Sequence, residues 1–259
     1  MTGIIAGSGF SGLDGSELID KMSCENMFGK PSGRLEKYGY NGKEFIFLSR
    51  HGNDHSIPPH KVNYRANIKA LKDSGVTDII SISAVGGITN EFAPGKIIIA
   101  DQIIDFTRSR QNTFFDEQQV VHIDFTEPYC ARLRSVLIDA ADKAGIQVLN
   151  SGVYVAVEGP RLETSAEIAM FRNQGGNIVG MTAMPEAALV REAEICYTGV
   201  YVVTNHAAGV AHSRLTTDEV ISTMKASTDT INILLSKVLG MLLSDDQCQC
   251  RSALKEARM

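Results

Sequence analysis

The sequence predicts an α/β fold: one domain over 1–243 with a large, mostly parallel or mixed sheet, followed by a polar C-terminal tail over 244–259. Three observations carry that expectation. Apolar runs of strand length alternate with helix-like segments along the whole chain. Neither a repeat nor a linker-like stretch interrupts them. The stretch from Asn177 to Gly209 reads by itself as strand, loop, helix, strand and polar loop, a unit whose strand ends face a ligand crevice.

Within that unit, Asn177 to Gly180 is a short strand, and Met181 and Thr182 follow. Pro185 opens a helix to about Tyr197 that turns Ala188, Val190 and Ile195 inward. The apolar run Val200 to Val203 returns as a buried strand and delivers Thr204, Asn205 and His206 at its end. The unit thus offers a hydroxyl beside a helix N-terminus (Thr182), an apolar floor (Met181) and a carboxamide (Asn205). Those groups suit the phosphate, sugar and base of a nucleoside.

Composition narrows the function classes. Of 259 residues, 44% are hydrophobic and 21% charged, the profile of a soluble globular protein. A net charge of −5 without a long basic run speaks against extended nucleic-acid binding, while a few local cations suffice for a small anion. No apolar run is long enough for a membrane span, and no signal peptide is visible. Five scattered cysteines predict free thiols in a reducing cytoplasm, and Cys248 with Cys250 is not expected to form a redox or metal site.

In chain order, Gly3 to Ala6 is a strand that enters Gly7, Ser8, Gly9 and Gly12, a GxGxxG match. A dinucleotide site is rejected, because the following residues are Gly-broken and Asp20 and Glu25 sit in polar, irregular sequence. A glycine loop in which Ser8 and backbone N–H groups hold a small anion is the remaining reading. Residues 34–48 form a hairpin about Asn41 and Gly42. Its second strand ends at Arg50 and His51, where a buried cation needs an anionic partner: a bidentate oxyanion ligand or, structurally, Asp54. His51, His55 and His60 do not read as a zinc set, since Gly52, Pro58 and Pro59 break any helix that would align them.

Val62 to Ser74 is an amphipathic helix, and Asp78 to Ser83 a buried strand running into Ala84 and the small residues after it. Ile97 to Phe106 is a further strand. Residues 107–121 are polar and irregular, a lid or inter-subunit arm ending at His122. Pro128 opens a helix to Ala144, and Val148 to Val157 is a long strand leading to Glu158, Leu162 and Glu163. Thr164 with Glu167, and Thr216 with Glu219, have capping-box spacing, and the last helix runs to about Leu243.

These residues carry a family resemblance. GIIAGSGF at 3–10, RHGNDHSIPPHKVNYRANI at 50–68, SAVGG at 83–87, EPYC at 127–130, EGPRLET at 158–164, GMTAMPEAALVREAEICY at 180–197 and VTNHAAG at 203–209 span nearly the whole chain. The chain resembles the trimeric purine nucleoside phosphorylases, in the branch that cleaves 5′-methylthio-nucleosides. The resemblance implies a single α/β domain whose mixed central sheet curves into a distorted barrel flanked by helices. It implies a cytoplasmic homotrimer, or a hexamer as a dimer of trimers, with inorganic phosphate as co-substrate and neither metal nor organic cofactor.

It further implies phosphate contacts from Ser8, Arg50, His51, Ser83, Ala84 and Thr182, and nucleoside contacts from Leu162, Glu163, Met181, Asn205, Ala207, Leu215 and His122, the last reaching a neighbouring subunit. Asn205, Glu163 and His51 are the expected catalytic groups. The adenine-cleaving branch carries Asp where Asn205 and Ala207 stand, so hypoxanthine or guanine is the expected leaving base. Leu215 and Met181 suit a methylthio group, which makes methylthioinosine the expected substrate, with inosine or guanosine and then methylthioadenosine as alternatives.

Overall fold

The computed structural model describes residues 1–7, 9–10, 12–52, 54–117, 119–211, 216–242 and 247–259. Apolar β-rich runs become the centre of the sheet. β1 (Thr2–Ala6) is fully buried, whereas β2 (Glu17–Met22) is exposed nearly throughout. β3 (Leu35–Tyr40) and β4 (Lys43–Ser49) form the expected hairpin, closed by Asn41 at φ 47° and Gly42 at φ 73°, the pair of positive φ values a tight hairpin needs. α1 (Tyr64–Asp73) starts where the Asn63 side chain accepts from the Ala66 N–H, and β5 (Asp78–Gly87) follows.

β6 (Ile97–Ile98), β7 (Gln102–Asp105), α2 (Ala131–Ala144), β8 (Val148–Leu149) and β9 (Val153–Ala156) form the middle of the chain. α3 (Ser165–Asn173), β10 (Ile178–Gly180), α4 (Ala183–Glu192), β11 (Cys196–His206) and α5 (Thr217–Met241) complete it.

The 11 strands form one mixed sheet that forks at β5. One branch runs β2-β3-β4-β1-β5-β10-β9-β7, and the other leaves β5 through β11 and β6 to β8. β5 pairs in parallel with β1 and β11 and, at Gly86 and Gly87, antiparallel with β10. Among the described residues the ladders form this fork and not a closed ring. α1 and α4 cover one face, with Ile68, Leu71, Leu189 and Val190 in its core; α2 and α5 cover the other, with Leu137, Ile231 and Leu235.

Several boundaries differ from the sequence reading, each for a local reason. The strands expected over 97–106 and 148–157 are both broken. The Asp101 carboxylate accepts from the Gly152 N–H (2.9 Å) and the Ser151 hydroxyl (3.0 Å), so both chains step at the same level from one branch of the fork to the other. The helix expected to open at Pro128 begins at Ala131, because the Cys130 N–H is spent on the Tyr197 carbonyl (2.7 Å). The helix after Pro185 stops at Glu192, since Glu194 turns left-handed at φ 56°; Ile195 lies in the turn and the strand begins at Cys196. Val190 is buried and Ala188 only partly so. Asp20, read as irregular, lies in β2, an exposed edge strand with no alternation to betray it.

The residues after α5 fold back on the body. Arg251 donates to the Thr77 carbonyl, the Leu254 N–H donates to Glu194 (3.2 Å), and Val121 bridges to Arg258. Leu243 lies outside the described residues.

Candidate active site

The loops after β1 and β4 and the carboxyl half of β5 meet the turns after β9 and β10 and the end of β11. They enclose a cavity of about 630 Å³. Its wall includes Arg50, His51, Ser83, Ala84, Leu162, Glu163, Met181, Thr182, Asn205 and Ala207, so these residues expected from the sequence do converge. Ser8 and Leu215 lie outside the described residues. His122 is exposed and lines a different cavity with Asp124, Arg191 and Ala257.

Arg50 is the largest fully buried side chain, at 0% exposure. The expectation that it grips an oxyanion bidentately, or else Asp54, is corrected by its actual partner. Glu186, 1% exposed in the first turn of α4, takes Nε at 2.7 Å and Nη2 at 3.0 Å. The other donors go to the Ser81 hydroxyl (2.7 Å), the Ile82 carbonyl (3.2 Å) and the Ser83 hydroxyl (3.2 Å). Burial opposes the charge, but the Glu186 carboxylate outweighs it and holds Arg50 firmly protonated. Tyr197 and Ser81 donate to Glu186 in turn, at 2.9 and 2.8 Å. Arg50 therefore supplies fixed positive charge behind Ser83, without a free fork.

Beside it, His51 is 5% exposed, and burial, reinforced by the Arg50 charge, lowers its imidazole to about 4. Its Nδ1 lies 2.8 Å from the Ile57 carbonyl, an acceptor only, so Nδ1 carries the proton and Nε2 keeps a lone pair. A methyl group added at Gly7 would stand 3.5 Å from that Nε2 and 3.1 Å from Arg50 Nη1, so Gly7 lies against both. Opposite, the hydroxyls of Ser83 and Thr182 are 3.0 Å apart. Thr182 is the N-cap of α4, yet its side chain makes no cap bond and stays available; its N–H goes to the Tyr154 hydroxyl at 3.2 Å. A side chain at Gly180 would overlap that same tyrosine hydroxyl, which is why glycine precedes Met181.

At the other end, the β11–β5 register shifts between Val203 and Asn205. Such a bulge re-aims the next side chain, here Asn205, towards the cavity. The Asn205 carbonyl oxygen accepts from the Thr204 hydroxyl (2.9 Å) and its amide donates to the His206 carbonyl (2.9 Å). One lone pair and one N–H remain for a ligand. Glu163 stands just before Thr164, whose capping box with Glu167 is fully formed and fixes the entry to α3. Burial pushes the Glu163 carboxyl above the usual carboxylate range. Leu162, 53% exposed, stands at the mouth.

Sequence reading missed three groups. Glu186 looked like an ordinary first-turn acid; its signal was its setting among Ala183, Met184, Pro185 and Ala187, all buried. Val220 of α5 lines the cavity beside Thr217. Arg110, 3% exposed, donates from Nη1 to the Met181 and Met184 carbonyls (both 2.6 Å) and from Nη2 to that of Glu158 (2.7 Å). With Glu192 accepting from Thr113 and the Phe114 N–H, it pins the 107–117 segment to the site wall.

The model of the phosphorylase superfamily matches residues 2–240. The chain belongs to the phosphorylase superfamily. It is 48% identical over 256 residues to a probable S-methyl-5'-thioinosine phosphorylase of Thermodesulfovibrio yellowstonii, covering 98% of this chain and 96% of that protein. It is 44% identical over 261 residues to a probable 6-oxopurine nucleoside phosphorylase of Thermococcus kodakarensis, covering 98% and 97%. A solved methylthioadenosine phosphorylase from Schistosoma mansoni in complex with adenine superposes with a TM-score of 0.95 at 30% identity, over 100% of this chain and 98% of that one. As a superfamily member the chain is a pentosyltransferase, and the forked sheet is the framework of its site.

Proposed function

We propose that this superfamily member cleaves S-methyl-5′-thioinosine with inorganic phosphate, giving hypoxanthine and S-methyl-5-thioribose 1-phosphate. Phosphate would sit among Ser83, Thr182, the Ala84 backbone and Gly7, with the Arg50 charge behind it. A neutral His51 with a bare Nε2 accepts a hydrogen bond from the proton that monohydrogen phosphate keeps, turning the remaining oxygens towards hydroxyl and N–H donors. The nucleophilic oxygen then attacks C1′ as the glycosidic bond opens through an oxocarbenium-like state. Positioning and charge stabilisation supply the acceleration. No covalent enzyme intermediate is needed.

One observation carries the choice of base. Asn205, aimed by the bulge, keeps one donor and one acceptor free on the same cavity wall as Glu163. The pair fits O6 and N7–H of a departing 6-oxopurine through Asn205 and N1–H through Glu163. Adenine offers a lone pair at N1 and an amino group at C6, which leaves both protein groups mismatched. Met181 and Val220 supply apolar surface for a methylthio group, and the Thermodesulfovibrio relative's name agrees.

A second reading, inosine or guanosine as substrate, is favoured by the Thr217 residue on the same wall and by the Thermococcus relative's name. The discriminating experiment is kcat/KM for methylthioinosine, inosine, guanosine and methylthioadenosine, each with and without phosphate. The proposal also includes a cytoplasmic homotrimer in which exposed His122 serves the site of a neighbouring copy. It requires no metal or organic cofactor in the reaction.

A further inference from the structure

A second cluster of reactive side chains lies away from the nucleoside cavity and shares no residue with its wall. Cys130 is the N-cap of α2, Cys196 the first residue of β11, and Cys248 and Cys250 flank the first residue of the 3₁₀ turn Gln249–Ser252. Three separate segments, the outermost 118 residues apart, thus deliver four thiols to one point. All four sulfurs lie within 4.8 Å of one another, with Cys130 Sγ and Cys248 Sγ at 3.6 Å. Cys130, Cys196 and Cys250 are buried, and Leu133 and Leu242 pack around the group. All are free thiols.

Four thiolates around a tetrahedral zinc ion at about 2.3 Å stand about 3.8 Å apart, so this arrangement needs shifts of an ångström or less to close on a metal. The surroundings have the remaining parts of such a site. Leu133 and Leu242 cover part of the cluster with apolar surface. A zinc tetrathiolate carries two net negative charges, and Arg132 and Arg251, both paired with Asp78, provide cations nearby. Cys130 stands at a helix N-terminus, where negative charge is favoured. A cavity of about 460 Å³ lined by Cys130, Cys248 and Cys250 reaches the cluster and supplies a way in.

We propose that Cys130, Cys196, Cys248 and Cys250 form a structural tetrathiolate zinc site that clamps the C-terminal segment to α2 and β11. Binding replaces four thiol protons by one Zn²⁺, without redox change. The clamp fixes the segment whose Ala257 carbonyl takes the His122 N–H at 2.8 Å, so it steadies the end of the 107–122 segment as well.

The test is the zinc content of the full chain, purified under reducing conditions and dialysed against a trace of zinc, by mass spectrometry of the metal. One zinc per chain is expected, with a single fast-reacting thiol, Cys24, in the native protein and all five after chelation in denaturant. Cobalt(II) in place of zinc should give intense thiolate charge-transfer and tetrahedral ligand-field absorption, a readout that needs no variant. The Cys248→Ser/Cys250→Ser double variant should lose the metal, and chelation of the wild type should expose the 243–259 segment to faster proteolysis. A reduced protein that takes up no metal, cobalt spectra without tetrahedral bands, full metal occupancy in the double variant, or paired disulfides in the zinc-treated protein would each overturn the proposal.

Discussion

Arg50 and Glu186 illustrate what a single residue does here. A guanidinium at 0% exposure cannot remain charged alone, and the sequence states that need without naming the partner, which lies 136 residues away. Removing one member of a buried pair typically costs about 3–5 kcal/mol. Glu186→Gln should therefore lower stability on that scale in denaturant titration and raise KM for phosphate far more than KM for nucleoside, as Arg50 swings from behind Ser83. An unchanged phosphate KM would mean that Arg50 does not shape the anion end.

His51 gives a pH signature of defined sign. Its folded-state value of about 4 lies below the ordinary 6.5, so between those values the unfolded chain binds a proton that the folded chain refuses. Stability attributable to His51 is present above about 6.5 and is lost as pH falls towards 4, on the order of 3 kcal/mol in all. His51→Asn should flatten that part of the stability–pH curve. At the base end, Asn205→Asp should move kcat/KM from 6-oxo towards 6-amino purines by roughly 10- to 100-fold, the worth of one or two re-paired buried hydrogen bonds. Steady-state rates on methylthioinosine and methylthioadenosine read this directly.

At the scale of elements, the cap of α3 matters to the site because Glu163 immediately precedes it. Thr164→Ala should cost about 1 kcal/mol of stability and raise KM for nucleoside, and Thr164→Ser should restore both. If only stability changes, Glu163 is held by something other than the cap. Elements were legible where the pattern is local. The Asn41-Gly42 hairpin, the Thr164–Glu167 box and the buried β5 all announce themselves within a few residues. What stayed hidden depends on distant partners. The steps after Ile98 and Leu149 follow from Asp101 reaching Gly152, and the early stop of α4 from a left-handed Glu194 that no spacing marks. The bulge that aims Asn205 arises only when β11 meets β5.

Over the whole molecule, sequence placed the site residues in one crevice because parallel strands put their carboxyl ends on one side. It could not place His122 or the four cysteines, whose positions depend on the fold-back of the C-terminal segment. If sites are shared between subunits, light scattering should give three chains per particle, and His122→Ala should raise KM for nucleoside while leaving stability and that mass unchanged.

The central claim is a site with an anion end at Ser83, Thr182 and His51 and a 6-oxopurine end at Asn205 and Glu163. Phosphate-dependent release of free base, compared as kcat/KM for methylthioinosine and methylthioadenosine, tests both ends at once. The expected result is no release without phosphate and a preference of roughly 100-fold or more for methylthioinosine. Release of base in phosphate-free buffer, or equal or better turnover of methylthioadenosine, would contradict it.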